Sequence, residues 1–302
     1  MPQIRANGID IEYETFGRAG DPAVLLIMGF SAQLTMWPQA FCEQLAAKGF
    51  RVIRFDNRDI GKSTHLSSLP VPNMQEVMMK SAMGQKVDAP YTLDDMAADA
   101  VGLLGALGIA RAHIVGASMG GMIAQIVAAK YPQATLSLVS IMSTTGNPDV
   151  PRGTPEAYAA ITTPPKSMER EDRIAQGINV WRVIGSPGYP ESDAALRATV
   201  EAAMDRAPYD PAGIARQMAA IMASPPRNDI LKTVCCPALV LHGADDPLVP
   251  VEGGKDTAAS IPGAKLVVVP GMAHDFSSAL VPIYMEYVGG FLTKVAREAK
   301  AA

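Results

Sequence analysis

Arg111–Gln125 reads R-A-H-I-V-G-A-S-M-G-G-M-I-A-Q. Ala112, Ile114 and Val115 form a short apolar run that predicts a buried strand. Gly116-Ala117-Ser118-Met119-Gly120 follows, and then a run rich in Ala, Ile and Met with good helix propensity. Strand, G-x-S-x-G turn and helix, in that order, make the context of a nucleophile elbow. The glycines have a physical job there. A serine forced into a strained strand-to-helix turn needs neighbours without Cβ atoms, so that backbone can pass close by. Such a turn lifts the Ser118 hydroxyl above the sheet edge, and the free N–H groups of the helix start favour negative charge beside it. An ordinary glycine-rich turn has the same letters, so the reading depends on whether an acid and a histidine follow at strand ends.

Both follow. After a strand over Ala238–Leu241 comes His242-Gly243-Ala244-Asp245-Asp246-Pro247-Leu248-Val249-Pro250, where Asp245 and Asp246 compete on chemistry for the role of orienting an imidazole. After a strand over Lys265–Val269 comes Pro270-Gly271-Met272-Ala273-His274-Asp275-Phe276. The chain has four histidines. His113 lies inside the elbow strand and reads as core, His242 ends a strand and reads as packing or a backbone hydrogen bond, and His65 reads as a solvated loop residue. His274 is the candidate base. In this scheme His274 removes the Ser118 proton during attack on a carbonyl and then protonates the leaving alcohol, while the aspartate fixes the tautomer. The oxyanion needs two backbone donors. Met119, next after the serine, offers one N–H, and Phe30, in the turn after the first central strand, is the candidate for the other.

Outward from this core the chain alternates strand and helix. Asn7-Gly8 splits Ile4–Phe16 into a hairpin. Ala23–Met28 predicts a central strand buried on both faces, followed by the Met28-Gly29-Phe30-Ser31 turn and a helix over Trp37–Lys48. Arg51–Phe55 is a strand, and Asp56–Ser63 a charged turn. Asn73–Gln85 predicts a helix carrying Met74, Met78, Met79 and Met83, and Thr92–Leu107 a second one with Thr92 as N-cap and Asp95 completing an imperfect capping box. Thr135–Ser140 is another strand. From Thr144 to Asp229 the pattern changes: prolines cluster at 148–165 and 187–226, with helical stretches at Glu169–Ile184, Ser192–Met204 and Ala212–Met222 and no strand signal. A last helix spans Leu280–Lys300. The expected architecture is α/β, with a mostly parallel sheet whose ligand site lies at the carboxyl ends of its strands, roofed by a helical insertion.

At 302 residues and 48% apolar content, the chain can fill a large core, and a net charge of −4 without a basic stripe disfavours nucleic acid and anionic membrane as partners. Three cysteines (Cys42, Cys235, Cys236) make no disulfide framework and read as buried small apolar residues in a reducing compartment. No metal-ligand spacing or phosphate loop is present, so neither a metal nor a cofactor is expected. Met1–Gly20 lacks the apolar run of a secretory signal, no run reaches membrane-spanning length, and a cytoplasmic location is expected.

These motifs resemble the α/β-hydrolases over essentially the full length. Gly116–Gly120, His242–Pro250, Gly271–His274 and Asp56–Ser63 carry the resemblance, and the order serine, aspartate, histidine agrees with it. Leu26–Phe30, Val52–Thr64 and Arg111–Gly116 are similar to the aclacinomycin methylesterase-like group, whose members hydrolyse a methyl ester on a bulky aromatic polyketide. The resemblance implies an eight-stranded sheet with a helical cap between strands 6 and 7, giving a core of 1–143 and 230–302 and a cap of 144–229. It places the acid on Asp246 and makes Asp56, Arg58 and Asp59 structural. Many relatives have His-Gly at the oxyanion turn where this chain has Met28-Gly29. The donor is a backbone N–H, so the hole is expected to survive.

The expected activity is that of a cofactor-independent serine carboxylesterase using Ser118, His274 and Asp246 on a small-molecule, apolar or aromatic ester. The alternatives are a C–C bond hydrolase or a perhydrolase or haloperoxidase-like activity with the same triad, and a slow-turnover ligand sensor. Met78, Trp181 and Tyr189 are candidate pocket residues, and a homo-oligomer is compatible with the sequence.

Overall fold

The computed structural model describes residues 1–301; Ala302, the last residue of the expected core, lies outside them. Asn7 and Gly8 both take positive φ (46° and 80°), the backbone that a two-residue hairpin turn demands, and they join β1 (Gln3–Ala6) to β2 (Ile9–Phe16). The sheet continues with β3 (Ala23–Ile27), β4 (Arg51–Phe55), β5 (Ala112–Ala117), β6 (Thr135–Ile141), β7 (Ala238–Gly243) and β8 (Lys265–Val269). Its order is β1-β2-β4-β3-β5-β6-β7-β8, with β2 antiparallel to β1 and β4 and every other pairing parallel. β3 is buried throughout, and its side chains alternate between two cores: Ala23, Leu25 and Ile27 on one face, Val24 and Leu26 on the other. The first core is closed by α3 (Leu93–Ala106) and α4 (Met119–Lys130), the second by α1 (Gln39–Ala47) and the C-terminal helices. α2 (Met74–Ala82) precedes α3, whose capping box is formed: the Asp95 N–H donates to Thr92 Oγ1 and the Thr92 N–H to Asp95 Oδ2.

Between β6 and β7 the described residues hold only helices: α5 (Pro155–Thr162), α6 (Arg170–Ile184), α7 (Asp193–Arg206), α8 (Pro211–Ala223) and the short α9 (Asn228–Leu231). α5 falls inside the first proline cluster, 148–165, for which the sequence named no helical stretch. Pro155 sits at its first turn, where a missing N–H costs nothing, and Thr154 Oγ1 caps it by accepting from the Ala157 N–H at 3.1 Å. After β7 comes α10 (Val251–Ser260). The expected single helix over Leu280–Lys300 is divided into a 3-10 turn, α11 (Val281–Tyr284), a π turn over Met285–Gly289 and α12 (Gly290–Ala301). The wide turn keeps Tyr284, Met285, Val288 and Leu292 all in the second core.

The charged turn after β4 anchors the insertion. Asp56 is fully buried and accepts from the Leu34 and Lys62 N–H groups, while Arg206 of α7 lies 2.8 Å from its Oδ2. Arg216 of α8 makes a two-pronged pair with Asp59, both distances 2.8 Å, and both side chains are almost fully buried. Arg58 pairs with Asp99 of α3 in the same way. Gly61 is needed in this turn: at φ 64° a Cβ would stand 2.2 Å from Asp56 Oδ2.

Two expectations fail nearby. His65 is not a solvated loop residue but half-buried, with Nδ1 2.6 Å from Asp210 Oδ2 and Nε2 3.1 Å from the Gly61 carbonyl oxygen. Both partners only accept, so both ring nitrogens carry protons; burial is the largest single effect and opposes this, but the bonds to Asp210 and to the Gly61 carbonyl, with the charges of Asp210 and Asp59, together outweigh it and raise the pKa. Cys235 is exposed and Cys236 only partly buried, so of the three cysteines Cys42 alone is fully buried. Burial pushes the thiol of Cys42 up to about 12 and that of Cys236 up to about 11.

Candidate active site

Ser118 stands between β5 and α4 with φ 56° and ψ −122°, a strained backbone for a residue with a side chain. Its glycine neighbours are required by contact. A Cβ on Gly116 would lie 2.0 Å from the Gly120 carbonyl oxygen, and one on Gly120 would lie 2.0 Å from that of Ile27. The serine backbone is held by its N–H donating to the Ile141 carbonyl at 2.9 Å and by its own carbonyl accepting from Ser143 Oγ at 2.7 Å.

His274 Nε2 lies 3.0 Å from Ser118 Oγ, and its Nδ1 lies 2.7 Å from Asp246 Oδ2. A carboxylate only accepts, so Nδ1 carries the proton and Nε2 turns a lone pair towards the serine. Asp246 Oδ1 accepts from the Leu248 and Val249 N–H groups at 2.9 and 2.8 Å, which holds the carboxylate still. Asp245, its competitor, is exposed and spends Oδ2 on the Gly271 N–H at 2.8 Å. It tethers the histidine loop without touching the imidazole. His242 is buried and donates from Nε2 to the Val249 carbonyl at 2.7 Å, and burial lowers its pKa. His113 sits in the core with Nδ1 2.8 Å from Ser137 Oγ, and burial pushes it down to about 4.

Met119 begins α4, where helical geometry leaves its N–H without an intrahelical acceptor. Opposite it, the Met28-Gly29-Phe30-Ser31 turn passes so close that a Cβ on Gly29 would lie 3.1 Å from Ser118 Cβ. Asn57 Nδ2 donates to the Met28 carbonyl at 2.9 Å, and the Ser31 N–H, at φ 54°, donates to Gln217 Oε1 at 3.0 Å. Gln217 is fully buried in α8 and also donates to the Arg58 carbonyl. Sequence reasoning missed Asn57 and Gln217. Asn57 lay within the charged turn as one polar residue among many, and Gln217 has no local signal because its partner is 186 positions away.

The histidine loop is strapped to the end of α6. The His274 N–H donates to the Ile184 carbonyl at 2.9 Å, and the Gly188 N–H donates to that of Gly271 at 2.9 Å. Ser186 Oγ accepts from the Ala273 N–H at 2.7 Å and donates to Asp275 Oδ1 at 2.5 Å. Burial raises the pKa of Asp275, and its bonds from Ser186 oppose the rise. Ser186 and Asp275 were likewise unforeseen.

A cavity of about 690 Å³ opens over Ser118 and His274, a size ordinary for a small-molecule site. Methionines dominate its walls: Met28 and Met142 from the sheet edge, Met74 and Met78 from α2, Met204 and Met218 from the insertion. Trp181 and Phe30 line it too. Tyr189 does not; it packs on the second core beside Gly271. Met79 and Met83 face solvent. Asp59, His65 and Asp210 bring ligand atoms within 4.8 Å of one another, but the guanidinium of Arg216 already occupies Asp59, a poor setting for a cation.

A hydroxyl, an imidazole and a carboxylate in hydrogen-bonded series, at the carboxyl edge of a parallel sheet, can deprotonate the hydroxyl and stabilise the resulting imidazolium. The chain belongs to the α/β-hydrolase family: residues 22–183 match the family described as "alpha/beta hydrolase fold", and residues 217–300 match "TAP-like protein". Rhodomycin D methylesterase DauP of Streptomyces sp. strain C5 is 27% identical over 90% of this chain and 91% of that protein. The corresponding DnrP of Streptomyces peucetius is 27% identical over 86% and 87%. Among solved structures, the enol-lactonase of Burkholderia xenovorans LB400 superposes with a TM-score of 0.73 at 24% identity, covering 97% of this chain and all of that one. Among the described residues, no helix is long and apolar enough to cross a membrane.

Proposed function

We propose that this chain is a serine carboxylesterase. Ser118 Oγ attacks the ester carbonyl while His274 Nε2 takes its proton, and the tetrahedral oxyanion is received by the Met119 and Phe30 N–H groups. His274 then protonates the departing alcohol, leaving an acyl group on Ser118, and a water activated by the same nitrogen releases the acid. Asp246 keeps Nδ1 protonated and balances the imidazolium. Residues 1–143 and 230–302 act as the core and 144–229 as a cap that shapes the substrate space. The thioether-rich walls suit an apolar or aromatic ester, because methionine adapts its shape to bulky ligands.

The observation that carries the reading is the unbroken series Ser118 Oγ–His274 Nε2 and His274 Nδ1–Asp246 Oδ2 at the floor of an apolar cavity. The names of the methylesterase relatives point the same way. The test is multiple turnover of a short p-nitrophenyl ester by the wild type and by Ser118→Ala. About one product per chain would favour a slow-turnover sensor instead.

A further inference from the structure

The face that α6 turns to the cavity changes character along its length. Ile184, Trp181, Val180, Gly177, Gln176 and Arg173 all line the space, spaced three and four apart as one helical stripe requires. The apolar end is fixed beside the imidazole by the bond from the His274 N–H to the Ile184 carbonyl. Arg173 lies about eleven residues earlier, about 16 Å along the helix axis, and its side chain leans further away, towards the helix N-terminus.

Arg173 differs from the cations around it. Arg170 pairs with Asp205 at 2.7 Å, Arg182 with Asp193 at 2.6 Å and Arg197 with Glu171 at 2.7 Å. Among the described residues, no carboxylate oxygen lies within 4.0 Å of Arg173. Its guanidinium instead lies over the ring of Tyr209, 5.3 Å from the centroid. Stacking engages the flat face and leaves the N–H edge available for a bidentate acceptor. The two carboxylates that line the same cavity are engaged elsewhere: Asp210 with His65 and the start of α8, Asp275 with Ser186.

We propose that Arg173 is the specificity residue for a carboxylate at the far end of the substrate, so that the natural ester is an acidic one with a long apolar body between its carboxylate and the scissile carbonyl. This rests on the esterase reading for the position of the reacting end, and its test separates the two. Binding of monomethyl and dimethyl esters of a series of linear α,ω-dicarboxylic acids is measured by calorimetry on full-length Ser118→Ala, which removes the proposed nucleophile. At the best-fitting length the half-ester is expected to bind about 10–100-fold tighter than the diester, the range of a hydrogen-bonded charged pair. That ratio is expected to fall to about one in Ser118→Ala/Arg173→Met, to be partly kept with Arg173→Lys, and to shrink with salt. Equal affinities at every length, no binding of either ester, or a preference that survives Arg173→Met would overturn the inference. Turnover of the dimethyl esters by the wild type is scored separately. Its absence beside an Arg173-dependent preference would count against the esterase reading while leaving the carboxylate site standing.

Discussion

Asp246→Asn isolates the tautomer argument. The amide is isosteric with the carboxylate, and its oxygen can keep accepting from the Leu248 and Val249 N–H groups, so the loop has no reason to move. The amide nitrogen then occupies the place of Oδ2, 2.7 Å from His274 Nδ1, and it can only donate. Nδ1 must become the acceptor, which moves the ring proton to Nε2 and turns an N–H towards Ser118 Oγ. The base is lost although every heavy atom stays in place. The expected cost is about 10⁴ in kcat, or about 5 kcal/mol of barrier, with KM little changed. The assay is steady-state hydrolysis of a p-nitrophenyl ester from pH 6 to 9, with urea unfolding to show that stability is retained. A kcat within tenfold of wild type, in a variant that unfolds at the same urea concentration, would refute the reasoning.

Other consequences can be checked alongside. Arg216→Met leaves Asp59 charged and buried without its guanidinium, so urea unfolding is expected to show a loss of about 3–5 kcal/mol; a loss under about 1 kcal/mol would contradict the anchoring role. His113, depressed to about 4 by burial, must stay neutral in the fold, whereas the unfolded chain protonates near the ordinary histidine value of about 6.5. Its contribution is therefore present above pH 6.5 and is lost as pH falls towards 4, by about 3 kcal/mol in all. His113→Gln, which does not titrate, is expected to flatten that part of the stability curve, and an unchanged slope would count against it. Met78→Ala is expected to alter the relative kcat/KM across an acyl chain-length series, and unchanged ratios would remove Met78 from the pocket.

The sheet was legible because its strands are short apolar runs closed by turn residues, and β3 and β5 fall where those runs predict. The elbow was legible for a local reason: Gly116, Ser118 and Gly120 lie within five positions, and their steric need is met by adjacent backbone. Asp246 and Asp245 were indistinguishable from chemistry, since both follow the same strand. The family resemblance chose Asp246, and in the structure Asp246 lies against His274 Nδ1 while Asp245 is taken by the Gly271 N–H. Gln217, Ser186 and Arg216 gave no sequence signal because each acts on a loop more than eighty positions away. His65 was misjudged for the same reason: its partner Asp210 comes from a helix start in the insertion, 145 positions on. Tyr189 was placed in the pocket from its position in the insertion, but the strap between residues 184–188 and the histidine loop turns it onto the core instead.

The most direct test of the account is labelling by a fluorescent fluorophosphonate together with turnover of a p-nitrophenyl ester, in the wild type and in Ser118→Ala. The account predicts stoichiometric labelling and many turnovers in the wild type, and the loss of both in the variant, with kcat falling by up to about a millionfold. Ester turnover that survives in Ser118→Ala, or a wild type that takes no label, would contradict it.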